Sequence, residues 1–279
     1  MKKSLIFHLS IWWQYGIALF FSLFFGFPLF WMVFSSFKSS RDLVGNMWAL
    51  PAHPTLDAYR SVLAIPEFKF YYLNSLIITI ASVALLTIVA TMAAYVFARI
   101  PFPGRRVLLF TFLAGMMIPL HVTLIPLYTM LRQMGLLNKL ISLLFPYVGF
   151  GLPMSIYILR GFFEKIPVEL EEAARLDGAS TVRIFWSVIL PLSRPAVITV
   201  MILNVIGAWN EYLLALTLVS GNNQAYTLPL GVYSIVTSVT TFQYDKAMSA
   251  LTLAALPILV FFFIMQRQIV KGLVARVLG

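Results

Sequence analysis

Cysteine is absent from this 279-residue chain, which excludes disulfides, thiolate metal sites and a cysteine nucleophile. Charge is scarce: 11% of residues are charged, where a soluble domain carries about 25%. Acidic residues are the rarest charges, 10 against 20 Lys and Arg. The three histidines, His8, His53 and His121, are far apart and lack metal-ligand spacing. No Gly-x-x-x-x-Gly-Lys-Ser/Thr loop occurs, so nothing here cradles a nucleotide phosphate. With no His constellation and no paired carboxylates in the apolar runs, the sequence offers no catalytic site. No cofactor or metal is expected on this chain.

What is abundant is hydrophobic, 61% of all residues. A helix needs roughly 20 apolar residues to cross the hydrocarbon core of a bilayer. Six segments qualify: about 13–37, 71–98, 107–131, 139–162, 195–219 and 248–266. Lipid offers no hydrogen-bond partners, so each span must satisfy its own backbone as a helix. The expected class is an all-α polytopic membrane protein with six transmembrane helices. Lys2 and Lys3 precede an apolar run, as in a signal peptide. That run continues through Pro28 to Phe37 without a small-x-small cleavage site, which favours a retained first helix.

The net charge of +10 is scattered between the apolar runs. That argues against nucleic acid, which needs a clustered basic face. It fits basic residues flanking spans on the cytoplasmic side. With the N-terminus inside, only Lys38, Arg41, Arg60, Lys69, Arg132, Lys139 and Lys246 fall outside, and the other thirteen Lys and Arg fall inside. Both termini are therefore expected in the cytoplasm. The outer segment 38–69, with Pro51, Pro54 and Pro66, reads as an ordered loop with a short helix near 56–63. The segment 220–246 carries a turn signal at Gly221-Asn222-Asn223. Residues 1–70 thus form a first helix with its external loop, and 71–279 a core of five spans.

One stretch stands apart. Residues 160–194 hold Glu164, Glu169, Glu171, Glu172 and Asp177, half of the 10 acidic residues. Pro167 suits a first helical turn, and the glutamates after it suit the positive end of a helix dipole. Glu171 and Arg175 are spaced for an i,i+4 pair. Gly178 is placed to end the helix in a left-handed cap. Ser180 or Thr181 is placed to cap a second helix, which runs through Phe185 to about Leu190 before Pro191 and Pro195 turn the chain back toward lipid. Leu170, Ala173, Ala174 and Asp177 share one side of the first helix. Spacing alone leaves two readings: a solvated amphipathic helix on the membrane surface, or a small-residue face that another protein approaches closely.

The residue pattern bears on that choice. Glu172-Ala173-Ala174, three residues, Gly178, and then Leu190-Pro191 resemble the EAA loop of ABC importer permeases, in register and just before the fifth of six spans. Val188 stands where that pattern has Ile. Asn74-Ser75-Leu76, Ala93 through Arg99, Pro126-Leu127-Tyr128, Gly135-Leu136, Trp209-Asn210-Glu211-Tyr212 and the stretch from Leu256-Pro257 to Gly272-Leu273 are similar to carbohydrate importer permeases. The match is to the second permease subunit of maltose- and glycerol-phosphate-type systems. The resemblance implies a type I ABC importer permease fold in the bacterial cytoplasmic membrane. Residues 160–194 would be a cytoplasmic coupling loop between helices 4 and 5. Glu172, Ala173, Ala174, Asp177, Gly178, Leu190 and Pro191 would face a separate ATPase subunit dimer, which holds the ATP and Mg. Further implied partners are a second permease subunit, an external solute-binding protein and a sugar substrate. A different solute, or a secondary transporter or channel, is the competing function; the spans offer almost no carboxylate for an ion site except Glu211.

Polar residues inside spans are functional candidates by default. Asn74, Asn204, Asn210 and Glu211 stand out, with Trp209 beside them. Amide, carboxylate and aromatic groups suit the hydroxyl edges and C–H faces of sugars. Asn also serves helix–helix hydrogen bonding, so both roles stay open. Glu211 is expected near the outer end of its helix, as a gate or an ion-pair partner. Pro119 and Pro126 either break the third span at the pathway or only kink it.

Overall fold

The computed structural model describes residues 2–238 and 243–277, with side chains except those of 2–11 and 269–277. The side chains of Lys2, Lys3, His8, Lys271, Leu273 and Arg276, and residues 239–242 of the expected outer segment, lie outside the described residues. All regular structure among the described residues is helical. The chain divides into two compact units, Met1–Pro66 with Val232–Leu256, and Glu67–Gly231 with Pro257–Gly279.

In the first unit, α1 (Lys2–Ser35) is apolar over the span Trp12–Ser35, and the apolar 18-residue stretch that marks this span has no buried residue. A helix of that kind needs an apolar solvent all round. Its phenylalanines stack along the axis, Phe20 on Phe24 and Phe21 on Phe25, each with ring centroids 6.0 Å apart. The outer loop is ordered, as its prolines suggest. α2 (Ser40–Gly45) was not legible in advance; α3 (Asp57–Leu63) is the short helix expected near 56–63. Ser39 caps α2 by accepting the Asp42 amide at 3.2 Å. Lys38 is only 2% exposed. Its ammonium donates to the carbonyls of Asn46 (3.3 Å) and Met47 (3.0 Å), just past the negative end of α2. The Trp48 ring lies against Phe27 and Trp31, with centroids 6.0 and 5.6 Å apart.

The second unit begins with α4 (Phe68–Arg99), whose 32 residues extend about 48 Å at the helical rise. That exceeds the roughly 30 Å hydrocarbon core, so the helix has length to spare and its last turn, with Arg99, can clear the lipid. Then follow α5 (Arg105–Gly115), α6 (Leu120–Gln133), a 3-10 turn (Leu140–Leu143), α7 (Leu144–Phe163), α8 (Glu169–Leu176), α9 (Thr181–Ile184), α10 (Leu190–Leu192), α11 (Arg194–Asn210) and α12 (Leu213–Val219); α13 (Leu228–Ser238) and α14 (Tyr244–Val277) each divide between the two units, after Gly231 and after Leu256. α4 packs most extensively on α7 and then on α11. Ala90 and Ala94, both fully buried, let the α4 backbone approach its neighbours, as small residues do between membrane helices. One core gathers Leu86, Ile156, Leu159, Phe163, Ile184 and Ile189. A second gathers Ile78, Leu131, Leu143, Leu214, Leu218 and Leu230.

Among the described residues, four helices have the length and composition of a membrane span, and two bent pairs raise the number to six. The bent pairs refine the six spans read from the sequence. The third expected span is α5 and α6 at 97° to each other. Pro119 makes that break: it stands before α6 in extended backbone, φ −63° and ψ 134°, with no N–H to continue α5. Pro126 sits inside α6 without ending it. The fifth span differs at both ends. The loop helix does not stop at Pro191 but continues through a π-helical turn, Phe185–Ile189, into α10, and meets α11 at 77°. In the π turn the Leu190 amide bonds the Phe185 carbonyl, five residues back. The wider turn suits a proline one residue later, whose ring would clash with the carbonyl four back in an α-helix. At the other end the expected 195–219 helix parts at Glu211 and Tyr212 into α11 and α12.

Candidate functional site

The charged loop folds as a helix, a glycine turn and a second helix. Gly178 has φ +78°, a conformation that a Cβ disfavours. It closes α8 as a Schellman motif: Ala179 N–H donates to the Ala174 carbonyl and Gly178 N–H to the Arg175 carbonyl, both at 2.9 Å. Ser180, one of the two residues expected as the cap, accepts the Arg183 amide at 3.3 Å and starts α9.

α8 has two unlike sides. Glu172, Ala173, Arg175, Leu176, Asp177 and Gly178 are exposed, Leu176 to 90%. Ala174 instead turns inward and packs, with Ala179, on the core around Ile184 and Phe163. Leu190 is half-buried against the same core, and Pro191 is exposed. The side shared by Leu170, Ala173, Ala174 and Asp177 in the helical pattern is therefore split by packing.

Glu171 is the residue that spacing misassigns. It is 3% exposed and its partner is not Arg175. Its carboxylate meets the Arg99 guanidinium at 2.7 Å, between side chains 4% and 11% exposed. Tyr95 donates to the other carboxylate oxygen at 3.4 Å. Arg99 also donates to the Ile166 carbonyl. The Tyr95 ring lies 5.2 Å from that of Phe185. A carboxylate this deeply buried requires a buried cation and hydrogen bonding; the end of α4 supplies the cation from Arg99 and a hydrogen bond from Tyr95. A more exposed cluster lies beside it, Glu164 with Arg160 at 2.7 Å and Arg105 at 3.8 Å.

Within the helices, a cavity of about 290 Å³ opens among α4, α7 and α11, lined by Ser82, Leu86, Tyr147, Gly151, Asn204 and Glu211 among others. Two of the five span candidates meet there, Asn204 and Glu211. Both amide hydrogens of Asn204 are engaged, one on Ser155 Oγ (3.0 Å) and one on the Val200 carbonyl (2.8 Å). The first crosses from α11 to α7. Glu211 sits in extended backbone, φ −68° and ψ 126°. Its carboxylate accepts the Leu214 amide at 2.6 Å and the Ala215 amide at 3.1 Å, and the Tyr147 hydroxyl donates to it at 3.0 Å. It thus caps the first turn of α12, at the break between α11 and α12. The remaining candidates lie elsewhere. Trp209 is buried in α11, and Asn210 is exposed with its amide on the Ile206 carbonyl. Asn74 donates to the carbonyls of Gln224 (2.7 Å) and Tyr226 (2.9 Å), while Ser75 beside it accepts the Leu228 amide at 2.7 Å. The pair fastens the segment that leads into α13.

Tyr95 and Arg99 entered the sequence reading only within the stretch from Ala93 through Arg99, with no site role, and Tyr147 did not enter it. A basic residue ending a long apolar span, and tyrosines inside spans, were the available signals. Asn138 left a fainter one: it has φ +61°, takes the Leu218 carbonyl at 2.8 Å and accepts the Gly221 amide at 2.9 Å.

The family described as binding-protein-dependent transport system inner membrane component matches residues 87–274. The diacetylchitobiose uptake system permease protein NgcG of Streptomyces coelicolor is 34% identical over 243 residues, 87% of this chain and 80% of that one. The galactooligosaccharides transport system permease protein GanQ of Bacillus subtilis is 33% identical over 265 residues, 94% of this chain and 93% of that one. A chain in the crystal structure of a bacterial ABC transporter involved in the import of the acidic polysaccharide alginate superposes with a TM-score of 0.81 at 24% identity, over 96% of this chain and 98% of that one.

Proposed function

This chain belongs to the binding-protein-dependent transport system inner membrane components, a multi-pass ABC importer permease, and from that premise we propose that it passes a sugar or oligosaccharide through the membrane by alternating access. The single observation that carries the coupling half of this reading is the built shape of residues 160–194. Its inner side is bolted into the core and its outer side presents Glu172, Ala173, Leu176 and Gly178 as exposed residues. We assign that outer side to a cytoplasmic ATPase subunit that holds the ATP and Mg. Both termini then lie in the cytoplasm, the arrangement that the charge bias favours. A second permease subunit completes the pore, and an external binding protein delivers the solute. The sugar follows from the relatives, whose named cargoes are diacetylchitobiose and galactooligosaccharides.

ATP closure of such an assembly is rigid-body switching between two packed states. Reversing a 1:99 population takes about 5.5 kcal/mol of differential binding. A well-packed docking face can provide that; an isolated exposed ion pair, at about 0–1 kcal/mol, cannot. The experiment is purification from the native membrane under mild detergent. An ATPase subunit and a second permease should accompany this chain, and vesicles holding the complex should take up sugar only with ATP on the loop side. A chain that transports alone in vesicles without ATP would instead be a secondary transporter or channel, and the reading would fall.

In the pathway, Asn204 and Glu211 are the residues of this chain we place beside the solute, because they share the cavity. Asn204→Ala removes a hydrogen bond between α11 and α7 of a type that contributes about 0.6 kcal/mol in membrane proteins. Uptake is expected to show a KM raised about two- to fivefold with the complex intact, since 1.4 kcal/mol is a factor of ten. Asn210→Ala should leave uptake unchanged. A KM for Asn204→Ala equal to that of the parent removes the side chain from the solute's path.

A further inference from the structure

The obvious reading of a coupling loop is that its outer face does the work and its inner face is ordinary packing. The inner face of α8 is not ordinary. It carries a buried carboxylate, Glu171, held by Arg99 at 2.7 Å and by the Tyr95 hydroxyl at 3.4 Å. Both partners belong to α4, neither to the helices that adjoin the loop in the chain. Arg99 reaches in the same place to the Ile166 carbonyl, in the connection between α7 and α8. Phe185, on the second loop helix, closes over the Tyr95 ring. A charge pair this buried is a poor way to gain stability, because desolvation offsets most of the attraction. It is a good way to fix one geometry, because a carboxylate without its cation cannot stay buried.

From this we infer that the Glu171–Arg99–Tyr95 cluster is a mechanical latch: it makes α8 and the end of α4 one rigid body, so that a push on the coupling loop is delivered first to α4. Glu171 is a positioning residue, one step inside the docking face of Glu172, Ala173 and Leu176. α4 is also the helix whose Ser82 and Leu86 line the cavity. The latch therefore joins loop and cavity through a single long helix, and rigid elements of that kind carry coupling between distant sites. The inference rests on the coupling reading above.

The test uses the complete transporter in proteoliposomes, with sugar uptake and sugar-stimulated ATP hydrolysis as readouts and copurification of the ATPase subunit as the control for assembly. Glu171→Gln keeps the volume and the Tyr95 hydrogen bond but removes the charge. Uptake and the stimulated ATPase ratio are expected to fall at least about fivefold, the lower end of measured coupling effects, with the ATPase subunit still copurifying. The absence of cysteine from the chain supplies a second arm. In Arg99→Cys/Glu171→Cys, a short bis-thiosulfonate crosslinker should restore stimulation, and reduction should remove it again.

Uptake within about twofold of the parent for Glu171→Gln, a range below that lower limit, would overturn the latch. So would a loss that merely tracks loss of the copurified ATPase, failure of the two cysteines to crosslink, or a crosslinked pair that stays uncoupled. Ala173→Trp separates the two levels. If it uncouples while Glu171→Gln does not, only the latch falls; if neither does, the coupling reading falls with it.

Discussion

Ala173→Trp abolishes sugar uptake while the chain inserts and folds normally. Ala173 is exposed on the outer side of α8, so an indole there extends away from the core and into the space of a docked partner. Overpacking a tight interface costs about 1–3 kcal/mol, which lowers docking about 5- to 150-fold. Ala174 is a poorer probe, because it packs on the core and its enlargement would disturb the fold as well. Gly178 isolates a different quantity. A Cβ at Gly178 would find no atom within 4 Å, yet φ is +78°. Gly178→Val must strain the backbone or unwind the Schellman turn, and should stop uptake. Gly178→Asn tolerates the left-handed region and should keep most of it. The measurements are uptake, sugar-stimulated ATP hydrolysis and copurification of the ATPase subunit. Undiminished uptake in Ala173→Trp would remove the outer face of α8 from the coupling site.

Gly151→Leu is expected to be severely damaging inside the helices. A Cβ at Gly151 would lie 2.3 Å from Leu86 Cδ1 and 2.5 Å from Asn204 Oδ1. Leu86 can rotate away, but the Asn204 amide is fastened on Ser155 and Val200. Even Ala must displace that amide or part α7 from α11, at about 1–3 kcal/mol. For a chain of this size that lowers the apparent Tm by roughly 2–12 °C. Leu adds three more carbons to the same space and should prevent assembly. Thermal aggregation of the detergent-solubilised protein, followed with uptake for the Ala variant, checks both. A Gly151→Ala protein with the parent's Tm and KM would show that the helices are not held at this contact.

The two sites differ in how much of them the sequence showed. The coupling loop was legible because its features are local: Pro167, the first-turn glutamates, Gly178 and Ser180 each act within a few residues, and each stands where local chemistry requires. The one local inference that failed was the Glu171–Arg175 pair. Spacing on a helix says which side chains could meet, not whether a cation from 72 positions earlier in the chain arrives first, at 2.7 Å. The cavity was less legible because its membership is a matter of helix rotation. Asn204 and Asn210 are both amides near the end of one helix, yet one reaches across to Ser155 and the other bonds its own turn. Asn74 was drawn in by polarity alone and is engaged in holding the segment at Gln224 and Tyr226.

The sequence by itself determined that the chain crosses a membrane several times, that its charged loop is a capped helix pair, and that the loop matches a permease family. The first two follow from composition and from interactions a few residues long, which the chain carries wherever it is placed; the third rests on the resemblance of the residue pattern to that family. Tertiary structure alone decided where the third and fifth spans break, which of the polar residues share a cavity, and that Glu171 belongs to Arg99. Those depend on which helix faces which, and hydrophobic periodicity is nearly silent on that in a chain that is apolar on most sides.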